Sequence, residues 1–229
     1  MGIARHAKSF HLCPMSAFRS IALILLAVIS VACRKPEPAR QEIEKTRPPE
    51  VAQLAPPKKT TTESAQVASL IDPAKLATLK SRGANPRIMK IVAILYTAKI
   101  AAKNPETIVN GAITQIGWEN TEKGNLTAAA ILRNLDIAEE LGATTHEDLA
   151  AMRKGLSPIV RRGPYAGDVL SVDHIIPRAV APELDNCIAN LELMPLRLNQ
   201  SKSDSIGPRQ RDLANKLHAA GLLTIPKKL

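Results

Sequence analysis

Apolar residues recur at helical spacing through the middle of the chain. Leu70, Leu76 and Leu79 predict a short helix that stops at Gly83-Ala84-Asn85-Pro86. Ile88, Ile91, Val92, Leu95 and Tyr96 predict a stronger one, because positions three and four apart fall on one helical face. Pro105 opens a further helix through Ile108, Ile113 and Ile116, ending near Gly117. Residues 128–141 are helical by composition and period, with Gly142 as a natural C-cap. Thr145-x-x-Asp148 has capping-box spacing and introduces a last turn from Leu149 to Met152. Residues 67–154 thus read as all-helical in short pieces, with their Ala, Leu and Ile stripes turned to a core.

The pattern changes at Gly155. Residues 158–165 are broken by Gly and Pro, and 168–172 form a short β-capable run that leads into Asp173-His174-Ile175-Ile176-Pro177. Residues 195–202 suit a short helix with Pro195 in its first turn. Residues 208–220 form a clearer amphipathic helix, with Leu213 and Leu217 inward and Gly221 closing it. The expected fold class is therefore α+β and mostly helical: a helical half, then short strands and a helix, then a closing helix. No internal repeat is visible.

The N-terminus follows a different logic. Residues 21–32 are apolar apart from Ser30, are preceded by Arg5, Lys8 and Arg19, and meet no acid before Glu37. Twelve residues suit a signal-peptide core and fall short of the twenty or so that span a bilayer. The run ends in Ser30-Val31-Ala32-Cys33, which resembles the lipobox of bacterial lipoproteins. That resemblance implies export, removal of residues 1–32, and a lipid on Cys33 as the first mature residue, giving an envelope lipoprotein or a periplasmic or secreted protein. Initiation at Met15 would give a more usual start than Met1. Residues 33–66, with Pro36, Pro38, Pro48-Pro49 and Pro56-Pro57, read as a Pro-rich tether without periodicity.

Composition narrows the function. The net charge of +10 favours a polyanionic partner. Aromatics make up only 2% of the chain, which argues against sheets and barrels that stack bases on several rings. Of the three cysteines, Cys187 alone falls in the body of the chain, and no Cys-x-x-Cys pair occurs. A metal site would then use oxygen and imidazole ligands.

The chemistry concentrates between residues 172 and 204. Val-Asp173-His174-Ile-Ile-Pro-Arg178 is followed by Asp185-Asn186-Cys187-Ile188-Ala189-Asn190-Leu191-Glu192-Leu193, then by Leu198-Asn199-Gln200-Ser201-Lys202-Ser203-Asp204. Hydrolysis of a phosphodiester needs an activated water, a centre that absorbs charge on the phosphate, and help for the departing oxygen. A neutral imidazole can take the water proton near pH 7. A hard cation bound by a carboxylate, an amide oxygen and waters supplies the rest.

The order and spacing of these residues resemble the HNH endonuclease family in its HNN variant, similar in layout to the HNH module of CRISPR effector nucleases. His174 to Asn190 is sixteen residues, Asn190 to Asn199 nine, and Asn199 to Lys202 three. The resemblance covers about 35 residues and implies a ββα-metal fold within 155–229. It implies His174 as general base, Asp173 and Asn199 as ligands of one Mg2+ or Mn2+ ion, and Asn190 on the second strand, orienting the loop that positions His174. Lys202 would meet a phosphate, with Arg178, Arg197, Arg161 and Arg162 as further backbone contacts. DNA is the implied substrate, cut with little sequence preference, with RNA as an alternative. The zinc-binding cysteines that brace many members are absent, so the helical half or the helix at 208–220 must brace the fold instead. An envelope lipoprotein that keeps this fold without turnover is the rival reading.

Overall fold

A computed structural model describes residues 62–224. The expected signal peptide, the expected lipidation site Cys33 and most of the expected tether lie outside them. Among the described residues no helix is long and apolar enough to cross a membrane.

The first helix, α1 (Glu63–Ile71), starts inside the stretch expected to be tether. The Thr62 hydroxyl accepts from the backbone N–H of Ala65, and Val67, Ala68 and Ile71 turn inward. A good cap and an apolar stripe are enough to begin the helix earlier than the Pro-rich composition suggests. Asp72-Pro73 then breaks the expected single helix in two: Asp72 ends α1 and caps α2 (Pro73–Ala77). Helices α3 (Asn85–Ile100) and α4 (Pro105–Gln115) follow the predicted periodicity. Helix α5 (Glu122–Glu140) begins six residues before the predicted start, because Thr121 accepts from Gly124 N–H and caps it. Its end needs Gly142, whose φ of 67° is costly for any residue with a Cβ. In α6 (His146–Arg153) Thr145 and Asp148 form the capping box reciprocally.

Strands β1 (Leu170–His174) and β2 (Leu191–Pro195) pair antiparallel, with Val172 opposite Leu193 and Asp173 opposite Glu192. The two are joined by residues 175–190, which contain two short 3-10 turns. Helix α7 (Leu196–Ser201) follows β2 without a loop, Pro195 standing at its N-cap, not in its first turn. Helix α8 (Pro208–Ala219) closes the described chain.

A two-stranded sheet is marginal alone, and two packing arrangements support this one. On the first, Leu170, Leu191 and Leu193 enter the same core as Ile88, Leu95, Ile131 and Met152. The regions expected as 67–154 and 155–229 therefore share one hydrophobic core and do not stand as separate bodies. On the second, Ala214 and Leu217 of α8 pack on Ile176, Ala181 and Leu184 of the inter-strand loop, with Leu223 beside them. Helical half and closing helix both supply the bracing.

The edge of β2 is closed by a side chain. Asn134 of α5, 1% exposed, donates from Nδ2 to the carbonyls of Leu191 (3.0 Å) and Ala130 (2.9 Å). Its Oδ1 accepts the N–H of Leu193 at 2.7 Å. One amide thus reproduces the donor–acceptor pair of a neighbouring strand. Replacing Asn134 by Ala should lower unfolding stability by about 2–4 kcal/mol, because the Leu191 carbonyl and Leu193 N–H lose their partners inside the core. Urea titration checks this, and a loss below about 0.5 kcal/mol would show that another contact holds the edge.

Candidate functional site

The strand β1 ends at His174, and the ending matters for the site. Successive strand residues point to opposite faces, so Ser171 and Asp173 share one face while Val172 and His174 share the other. Because pairing stops there and Pro177 follows, Asp173 and His174 both reach one cavity of about 250 Å³. Arg82, Arg178, Asn199, Lys202 and Asp204 also line it. Five of the predicted residues, Asp173, His174, Arg178, Asn199 and Lys202, are thereby brought together.

Asp173 and His174 are both 8% exposed. The His174 Nε2 lies 2.9 Å from the backbone carbonyl oxygen of Asp185 and 3.0 Å from its Oδ1. Both partners only accept, so Nε2 carries the hydrogen and Nδ1 keeps its lone pair in the neutral ring. Asp185 is in turn ion-paired to Arg178 Nε at 2.8 Å and accepts the backbone N–H of Arg82 at 3.1 Å. Burial pushes its carboxyl upward, but the Arg82 N–H, the Arg178 charge, the Ser81 hydroxyl and His174 together hold it below the usual range. Asp185 is a member of the site that the sequence reading quoted without assigning it a role.

Asn190 is fully buried and does not line the cavity. It sits in the 3-10 turn just before β2, not on the strand itself. Its Oδ1 accepts from Ile176 N–H at 2.8 Å and its Nδ2 donates to the Ile176 carbonyl at 3.1 Å. Ile175 N–H donates to the Asn190 carbonyl at 2.9 Å. The start of the loop is so pinned to its end, which sets the direction in which His174 leaves the strand.

Asn199 stands on α7 and donates from Nδ2 to Ser171 Oγ at 3.0 Å, which leaves its Oδ1 free as an acceptor. Lys202, just past the end of α7, donates to Asp173 Oδ2 and to the His174 carbonyl, the latter at 3.1 Å. Among the described residues no three His, Cys, Asp or Glu side chains cluster as a metal cage. The donor set of one carboxylate and one amide oxygen in an open polar cavity suits a hard cation that keeps most of its waters. His174 is committed elsewhere at Nε2.

The other predicted arginines lie apart from the cavity. Arg197 pairs with Asp168 (3.4 Å) and sits over the Tyr165 ring. Arg161 pairs with Asp148 (3.3 Å), and Arg162 donates to the Glu139 carbonyl. Arg82, from the helical half, was missed: it occupies the turn before α3 at a φ of 58°, a left-handed conformation uncommon for a residue with a Cβ. Its N–H bond to Asp185 helps hold that conformation. Glu192, opposite Asp173, was missed as well; it is buried with Arg133 at 3.1 Å and with Arg209, which also feels Asp173. Cys187 is half-buried within the inter-strand loop, where desolvation pushes its thiol up to about 11.

Asn190→Ala should cost about 2–4 kcal/mol of stability, since two backbone groups of Ile176 lose their partners. Hydrogen exchange at the Ile176 amide should accelerate more than exchange in α3, and equal acceleration of both would mean that Asn190 supports the fold globally and not the loop.

No family model matches the chain, and neither the curated proteins nor the solved structures contain a match to it.

Proposed function

We propose that this chain is an exported, metal-dependent HNH endonuclease that hydrolyses phosphodiester bonds in DNA with little sequence preference. The observation that supports this most is the meeting of Asp173, His174, Asn199 and Lys202 around one cavity, from positions spread over thirty residues. The β1–loop–β2–α7 order is what a ββα-metal core requires.

In this reading His174 accepts the proton of a water at Nδ1. The Asp185 carbonyl fixes that tautomer, and the Asp185 carboxylate stabilises the imidazolium that forms, as a carboxylate does in other base-orienting pairs. The oxygen of that water bonds to phosphorus, the bond to the 3′ oxygen breaks, and the 3′ oxygen takes a proton from solvent. The products carry a 5′ phosphate and a 3′ hydroxyl. Asp173 and the Asn199 Oδ1 would hold one Mg2+ or Mn2+ ion, which supplies Lewis-acid stabilisation of the phosphate and of the departing oxygen. Arg82, Arg178 and Lys202 give the cavity wall the positive charge that a phosphate backbone needs. The lipobox-like Ser30–Cys33 run supports export and anchoring through Cys33.

His174→Ala should lower turnover by roughly 10²–10⁴-fold in a plasmid-nicking assay with Mg2+ while DNA binding persists. Cleavage by the variant equal to that of the unmodified protein would end the mechanism. Asp185→Asn keeps the backbone carbonyl contact but removes the charge, and should cost about 10–100-fold in turnover. Labelled palmitate should enter the protein in a bacterial host and fail to enter Cys33→Ser; equal labelling of the two would remove the anchor.

A further inference from the structure

We propose that Lys202 is an internal counter-cation that closes the metal position until a phosphate draws it away, so that divalent cation and nucleic acid bind cooperatively. The inference rests on the nuclease reading and adds to it an order of events at the same site.

The Lys202 ammonium is held by oxygens that would face a cation. It donates to Asp173 Oδ2 and, at 3.1 Å, to the His174 backbone carbonyl. Asp173 is the one carboxylate in this cavity that belongs to the candidate donor set, so its charge is already met when no metal is bound. The pair is partly sheltered, with side-chain exposures of 24% for Lys202 and 11% for Asp173, so solvent screens it incompletely. A divalent ion seeking Asp173 must first displace a bound cation, which weakens its affinity.

Lys202 is also placed to leave. It lies just past the end of α7, at its C-cap, and residues 203–207 are non-helical before α8 begins. Its charge sits on a long flexible stem with three donors, whereas the Asn199 amide is fixed on the helix by Ser171. A phosphate in the cavity offers that ammonium a second anionic partner. Arg82 lines the same cavity, and its guanidinium has no ion pair among the described residues, which gives the phosphate a first contact that costs no existing bridge. Arg178, by contrast, is engaged by Asp185 and Ser81. Once Lys202 turns to the phosphate, Asp173 is released for the metal. By linkage the cation must then tighten nucleic-acid binding by the same factor that nucleic acid tightens cation binding.

The test is Mn2+ affinity of the purified protein, read from the electron paramagnetic resonance of free Mn2+, with and without a phosphorothioate DNA duplex and corrected for Mn2+ bound by duplex alone. The unmodified protein should bind Mn2+ about tenfold more tightly with duplex than without it. Lys202→Met should bind Mn2+ about tenfold more tightly than the unmodified protein in the absence of duplex, with the effect of duplex reduced to about twofold or less. Lys202→Gln serves the same comparison if the Met variant is poorly folded. A merely structural lysine would not raise metal affinity on removal. Affinity unchanged or weaker in both Lys202 variants, with binding abolished in Asp173→Asn, overturns the counter-cation while leaving the metal site intact. Absence of Mn2+ binding, or binding that survives Asp173→Asn, overturns the nuclease reading and the inference together.

Discussion

A two-stranded sheet has two exposed edges and too little face to bury, so the whole arrangement depends on how its outer edge is closed. One buried amide does this. Asn134 supplies a donor and an acceptor to β2 where a third strand would otherwise stand, and it does so from a helix. One turn to either side of Asn134 on that helix stand the small buried residues Ala130 and Ala138. The brace of this small sheet is an amide and a shared hydrocarbon core.

Polar groups around the strand ends obey a second constraint, that a sheltered carboxylate needs its own cation. Asp173 has Lys202, Asp185 has Arg178 with His174, and Glu192 has Arg133 with Arg209. The three groupings differ in what could replace the cation. Glu192 is enclosed by two guanidiniums and does not line the cavity. Asp185 is bound from several directions and serves to orient the imidazole. Of these three, Asp173 alone is met by a single flexible ammonium at the cavity wall, and under the proposed nuclease reading it is the carboxylate left for a metal.

The helical half acquires a role from this geometry. The turn between α2 and α3 presents Ser81 and Arg82 to the loop, where the Arg82 N–H, the Ser81 hydroxyl and the Ala84 N–H engage Asp185, Arg178 and Asn186. Under the proposed nuclease reading this turn steadies the residue that orients His174. The helices therefore do more than cover a small sheet: they complete one wall of its site.

Local order was legible in the sequence because it depends on neighbours in the chain. Helical periodicity, the Thr145–Asp148 box, the Gly142 stop and the spacing of Asp173, His174, Asn190, Asn199 and Lys202 are all short-range patterns, and so were readable without coordinates. The early start of α1, the split at Asp72-Pro73 and the position of Asn190 ahead of β2 were misjudged by a few residues, since caps and turns compete closely with periodicity there. What only the tertiary structure decided is pairing across distance. Asn134 with Leu193, Arg82 with Asp185 and Glu192 with Arg133 are each more than fifty residues apart. An isolated Asn, Arg or Glu in a helix or loop reads as a solvated surface residue, because its function lies in a partner that the chain brings to it only on folding.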